Sequence, residues 1–202
     1  MIAAVEMSRL GIARGDRSLF QDLDARLEAG QAVALTGANG AGKTSLLRAL
    51  AGFIRPAEGT VRFTDAAGAE IEAETARRRI HLLGHLDGLR PGARVRDELA
   101  FHAAWLGGGA AEAAVERLSL EPLLELEVRK LSAGQRRRVA LARLVAAPRP
   151  LWLLDEPGAP LDARWRGVLA ELIAEHTAAG GLALIATHEP AHGLARTLEL
   201  SV

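Results

Sequence analysis

Apolar and polar positions alternate over residues 5–12 and again over 19–27, the period of half-buried strands, and Gly15-Asp16-Arg17 between them predicts a turn. Gly30 punctuates the chain once more. Residues 32–36 then form a short apolar run suited to a strand buried on both faces. A glycine-rich stretch follows, and residues 45–51 have helical spacing. Residues 60–64 and 70–72 flank Asp65-Ala66-Ala67-Gly68, which predicts a hairpin. From about residue 94 to 147 the pattern turns helical: Ala, Leu, Glu and Arg dominate, interrupted at Gly107-Gly108-Gly109 and Glu121-Pro122. The last part alternates again, with a strand over 151–154, a helix over 163–176 and a strand over 182–187. Strands alternating with helices on this scale predict an α/β fold: an N-terminal antiparallel part, a parallel-sheet core and a helical subdomain, about 94–147, inserted into that core.

Composition narrows the function classes. The 202 residues include 25 basic and 25 acidic side chains, so the formal net charge is zero. A nucleic-acid binder needs a basic excess to neutralise phosphates, so no nucleic-acid partner is expected. Cysteine is absent, which excludes disulfides and thiolate metal sites. The N-terminus lacks a basic start followed by an apolar core, and no apolar run approaches the ~20 residues that span a bilayer. The expected location is cytoplasmic, with any membrane role depending on a partner. Only Lys43 and Lys130 are lysines among the 25 basic residues, so a lysine inside a phosphate motif stands out.

That lysine ends Gly37-Ala38-Asn39-Gly40-Ala41-Gly42-Lys43-Thr44, a full G-x-x-x-x-G-K-[ST] phosphate loop, continued by Ser45. Its glycines let the backbone turn its N–H groups toward phosphates, and the following helix offers its positive end. Lys43 is placed to reach the β- and γ-phosphates, and the Thr44 hydroxyl to bind Mg²⁺. A second element, Leu151-Trp152-Leu153-Leu154-Asp155-Glu156, ends a buried strand in two carboxylates. Asp155 is a candidate for Mg²⁺, and Glu156 for activating the attacking water. Alone, such a strand end is common; paired with a phosphate loop it predicts a nucleotidase. The third element is Leu131-Ser132-Ala133-Gly134-Gln135, opening an apolar-striped helix. Ser132 can cap that helix, and a small-residue helix start is also an anion site. The Arg136-Arg137-Arg138 run that follows reads as a solvated helix face, because no aromatics interleave with it.

The three motifs in this order resemble the ATP-binding subunits of ABC transporters, and the resemblance runs from about residue 5 to 201. It implies ATP and Mg²⁺ as cofactors, transport-coupled ATP hydrolysis, and a homodimer in which Ser132, Ala133, Gly134 and Gln135 complete the partner's site. It further implies that Asp162, in Ala159-Pro160-Leu161-Asp162, links the two sites, and that His188 contacts the γ-phosphate. Ala133 stands where the family usually has Gly. His85 stands where it has a Gln touching Mg²⁺ and water, and Arg14 where an aromatic stacks on adenine. A guanidinium can stack on a base as well. Leu83-Gly84-His85, with this phosphate loop and no domain after His188, is most similar to the cytochrome c maturation (Ccm-type haem exporter) group; Leu86 and Asp87 depart from its usual Gln and Pro. That resemblance implies integral membrane permease partners and a peripheral position on the cytoplasmic face of the inner membrane. The competing expectations are an ATPase for a drug or lipid exporter, a soluble non-transport ABC ATPase, and a metabolic kinase. The last leaves residues 131–135 unexplained.

Overall fold

A computed structural model describes residues 1–107, 109–188 and 196–200. Gly108 of the glycine triplet and Ser201 lie outside the described residues. The chain divides into two compact units: residues 1–82, 150–157 and 170–202 form the first, and 83–149 with 158–169 the second.

The first unit carries two sheets. Strands β1 (Ala4–Arg14), β2 (Arg17–Glu28), β4 (Glu58–Thr64) and β5 (Glu70–Ile71) form a four-stranded sheet in the order β2-β1-β4-β5, with β1 antiparallel to both neighbours. The expected half-buried alternation of β1 is exceeded: Val5, Met7, Leu10, Gly11 and Ile12 are all buried. β1 is an inner strand of its sheet, and Val5, Met7, Leu10 and Ile12 join the core cluster. Strands β3 (Ala32–Thr36), β6 (Ile80–Leu83), β7 (Leu151–Asp155), β8 (Leu182–Ala186) and β9 (Arg196–Glu199) form the second sheet in the order β6-β7-β8-β3-β9. The pairs β7–β8, β8–β3 and β3–β9 are parallel, as the α/β pattern predicts. Strands β7 and β8 are buried at every position, the state of strands covered on both faces. Helix α1 (Lys43–Leu50) starts two residues before the expected 45–51 span, so Lys43 and Thr44 lie in its first turn. The short α2 (Ala73–Arg77), β6 and β9 were not anticipated from the pattern.

In the second unit α3 (Val95–Leu106), α4 (Ala111–Arg117) and α5 (Ala133–Ala146) pack together. The one fully buried acid among its described residues, Glu98, accepts from the Arg90 Nε at 2.8 Å and lies 3.3 Å from His102 Nε2. Helix α6 (Ala163–Ala178) begins in the second unit and ends in the first.

At the end of α6, His176 stacks on the buried Trp152 of β7, with ring centroids 3.9 Å apart and planes 7° from parallel. Its Nε2 lies 3.3 Å from the Leu182 carbonyl. Burial lowers the His176 pKa below its ordinary 6.5, and the backbone contacts at Leu182 and Pro150 oppose that only in part. The unfolded chain therefore binds the proton more readily than the folded one. Stability from this site is fully present above pH ~6.5 and is lost as pH falls toward the lowered folded value. Between pH 7 and 5 the melting temperature of His176→Phe, which keeps a ring but cannot titrate, should fall less steeply than that of the parent. Equal slopes in a calorimetric pH series would remove His176 from this role.

Candidate nucleotide site

The phosphate loop joins β3 to α1. Three of its residues, Gly37, Gly40 and Gly42, have φ of 139°, 84° and 99°. At Gly37 a Cβ would come within 2.8 Å of the Leu200 carbonyl oxygen, and at Gly42 one would come within 3.0 Å of the Phe20 ring. Both positions are thus glycine by conformation and by space. Gly40 has open space where its Cβ would be, so there its positive φ alone favours glycine.

Lys43 is buried, and its ammonium donates to the carbonyls of Gly37 at 2.7 Å and Ala38 at 3.2 Å. The side chain therefore lies back across the loop. The Thr44 hydroxyl donates to Asp155 Oδ2 at 2.9 Å, tying α1 to the end of β7. Asp155 is itself buried. Glu156 follows with φ of 47°, a left-handed conformation unusual for a non-glycine residue and found most often where a site needs a side chain aimed sharply. Its N–H donates to the Ala186 carbonyl of β8, which holds the turn. The Glu156 Oε1 has no hydrogen-bond partner and lies 3.4 Å from His188 Nε2. A carboxylate oxygen buried without a partner is costly unless a ligand satisfies it.

The residues fit Mg²⁺. Thr44 and Asp155 offer hard oxygen donors already converging on one point, and no cluster of three or more His, Cys, Asp or Glu able to hold a metal occurs among the described residues. This is the donor set of an ion held by one carboxylate, one hydroxyl and substrate phosphates rather than by a protein cage.

The second unit holds the remaining candidates. Ser132 caps α5 in a reciprocal capping box: the Gln135 N–H donates to Ser132 Oγ at 3.2 Å, and the Ser132 N–H to Gln135 Oε1 at 2.8 Å. The Ser132 hydroxyl oxygen is thus occupied as an acceptor while its own proton remains available to an anion. Ser132 and Ala133 are exposed, and Gly134 is half-buried. Asp162 caps α6, accepting from the Trp165 N–H at 3.0 Å. His85 is exposed, just beyond β6. In the first unit Arg14 stands at the exposed end of β1, paired across the turn with Arg17. The structure thus gathers residues 37–45, Asp155, Glu156 and His188 in one unit, and His85, residues 132–135 and Asp162 in the other.

The arginine run requires a correction. Arg137 is buried, only 3% exposed, and the Arg138 guanidinium lies 4.2 Å over the Trp165 ring while donating to the carbonyls of Leu118 and Ser119. The run is not a solvated face. Successive helix residues point about 100° apart, so three in a row cannot all face water on a helix packed on several sides.

A sequence model of the ABC transporter family matches residues 20–159. The chain belongs to the ABC transporter family. It is similar to the cytochrome c biogenesis ATP-binding export protein of Rhodopseudomonas palustris, with 44% identity over 193 residues, covering 95% of this chain and 94% of that one. The protein of the same name from Rhodospirillum rubrum is 47% identical over 179 residues, covering 87% and 76%. Among solved structures a dimeric bacterial ABC transporter cassette superposes with a TM-score of 0.83 at 20% identity, covering 97% of this chain and 94% of that one. As a member of this family the chain is an ATP-binding, ATP-hydrolysing transporter subunit. No helix among the described residues is long and apolar enough to cross a membrane.

Proposed function

We propose that this ABC ATPase drives an export step of cytochrome c biogenesis, as a homodimer docked on integral membrane permease subunits at the cytoplasmic face of the inner membrane, with haem as the exporter's cargo. The names of its relatives in Rhodopseudomonas and Rhodospirillum support the process. The dimeric cassette with the same fold supports the pairing.

The observation that carries the chemistry is the Glu156 carboxylate, held at positive φ with one buried oxygen 3.4 Å from His188 Nε2, on the same strand end as the Asp155–Thr44 pair. Lys43 swings from the Gly37 and Ala38 carbonyls to the β- and γ-phosphates of ATP. Thr44 and Asp155 would hold Mg²⁺, which would supply positive charge to neutralise the phosphates. Ser132 and Gly134 of a second copy close over the γ-phosphate, and Asp162 relays between the two sites. Glu156 takes a proton from water, whose oxygen bonds to the γ-phosphorus. The bond to the β–γ bridging oxygen breaks, and its electron pair leaves with ADP. His188 hydrogen-bonds the γ-phosphate and orients Glu156; His85 contacts the water from the loop after β6. Arg14 stacks on the adenine.

The test is a pull-down of the tagged chain from detergent-solubilised membranes. Recovery of integral membrane proteins of cytochrome c assembly is expected. Recovery of ribosomes or DNA instead would overturn the transport reading, and a drug- or lipid-exporter permease would overturn the assigned process.

A further inference from the structure

Arg137 emerges from the first turns of α5, the helix that Ser132 caps, and reaches the loop that follows β6. Its Nη1 donates to the Gly84 carbonyl at 3.1 Å and its Nη2 to the His85 carbonyl at 3.2 Å. Nη1 also lies 3.3 Å from the Asp87 carboxylate, which is itself largely buried. Lower on the same helix, Arg143 donates to the Asp87 backbone carbonyl at 2.7 Å. The turn bearing His85 is therefore tied to α5 by guanidinium groups, while His85 and Leu86 themselves are exposed. A guanidinium is planar and forked, so bonding two successive carbonyls fixes both the position and the rotation of that backbone, which a single ammonium could not do.

We infer that Arg137 is a positioning residue for catalysis: it fixes the backbone of Gly84 and His85 so that the His85 imidazole is presented to the attacking water, and it binds that presentation to the helix whose capped start, Ser132 and Gly134, serves the partner's ATP. This rests on the proposed role of His85. Movement of the His85 loop on hydrolysis in one copy is thereby carried along α5 to the Ser132 turn that closes the other copy's site. Removing Arg137 leaves two buried-side carbonyls and a carboxylate without that donor, and the loop loses its fixed orientation.

The experiment is a double-mutant cycle on the purified full chain, with Arg137→Gln, His85→Ala and the combination, each assayed at a temperature where circular dichroism shows it folded. Arg137→Gln should lower kcat about tenfold while KM for ATP stays within about threefold, because the phosphate loop is untouched. His85→Ala should lower kcat comparably, and the combination should fall no more than about twofold below His85→Ala alone, since Arg137 acts through His85. Multiplying losses, or a KM rise that matches the kcat loss, would overturn the inference while leaving the His85 role standing. Normal turnover in His85→Ala would overturn that role and the inference with it. If Arg137→Gln does not fold, Arg137→Lys, which keeps the charge but cannot bond both carbonyls in a fixed fork, takes its place in the cycle with the same non-additivity required.

Discussion

Lys43→Ala is expected to weaken ATP binding by about a hundredfold, ~2.8 kcal/mol, with the fold intact. The reason lies in what the ammonium touches. It bonds two backbone carbonyls of its own loop, Gly37 and Ala38, at 2.7 and 3.2 Å. Ala38 is exposed and Gly37 half-buried, so water is expected to replace the ammonium at those carbonyls at little cost to the fold. With ATP bound the same group meets the β- and γ-phosphates, and a buried charge-assisted contact of this kind is worth far more than an exposed one. The glycine geometry at residues 37, 40 and 42 and the start of α1 remain, so residual weak binding through backbone N–H groups is expected. Titration calorimetry with ATP and Mg²⁺ reads the affinity directly, and circular dichroism reads the fold. Parental affinity in the variant would remove the phosphate loop from nucleotide binding altogether.

The contrast between Lys43 and Arg137 marks what a sequence discloses. The phosphate loop is a contiguous backbone device: eight successive residues set glycine placement, helix start and cation together, so its chemistry is legible from residues 37–44 alone. The strand ending in Asp155 and Glu156 is legible for the same reason, a buried apolar run stopping at carboxylates. So is the Ser132–Gln135 capping box, whose two partners lie three positions apart. Arg137 depends on contacts with residues 84–87, far off in sequence, and a run of three arginines gives no sign of which one turns inward. The left-handed φ of Glu156 is similarly hidden, because nothing in the residue type predicts it. The edge strand β9, Arg-Thr-Leu-Glu, has a polar composition and gains its place from backbone pairing with β3, which apolar periodicity does not register. The α/β order itself was legible because alternation of apolar period survives even where individual boundaries slip.

Glu156→Gln is expected to bind ATP, to pair with a second copy and to turn over about 10²- to 10⁴-fold more slowly than the parent. Glutamine has nearly the shape of glutamate, so the strained turn, the N–H bond to the Ala186 carbonyl and the neighbouring Asp155–Thr44 contact should survive. What it lacks is a lone-pair-rich, negatively charged oxygen able to take a proton from water. The Oε1 that faces His188 at 3.4 Å without a hydrogen bond is the feature that makes this loss specific. In the parent, a carboxylate without a hydrogen-bond partner is a base waiting for a donor; in the variant, an amide there can orient water but not deprotonate it. Because hydrolysis is what reopens the pair, blocking it should trap the ATP-bound dimer, visible as a doubling of mass by light scattering when ATP and Mg²⁺ are added. The two readouts separate two claims. Near-parental turnover would take Glu156 out of the chemistry, whatever the dimer does. Slow turnover in a species that stays monomeric with ATP bound would leave Glu156 as the base and refute the composite site, in which the Ser132 and Gly134 of one copy close over the γ-phosphate held by Lys43 of the other.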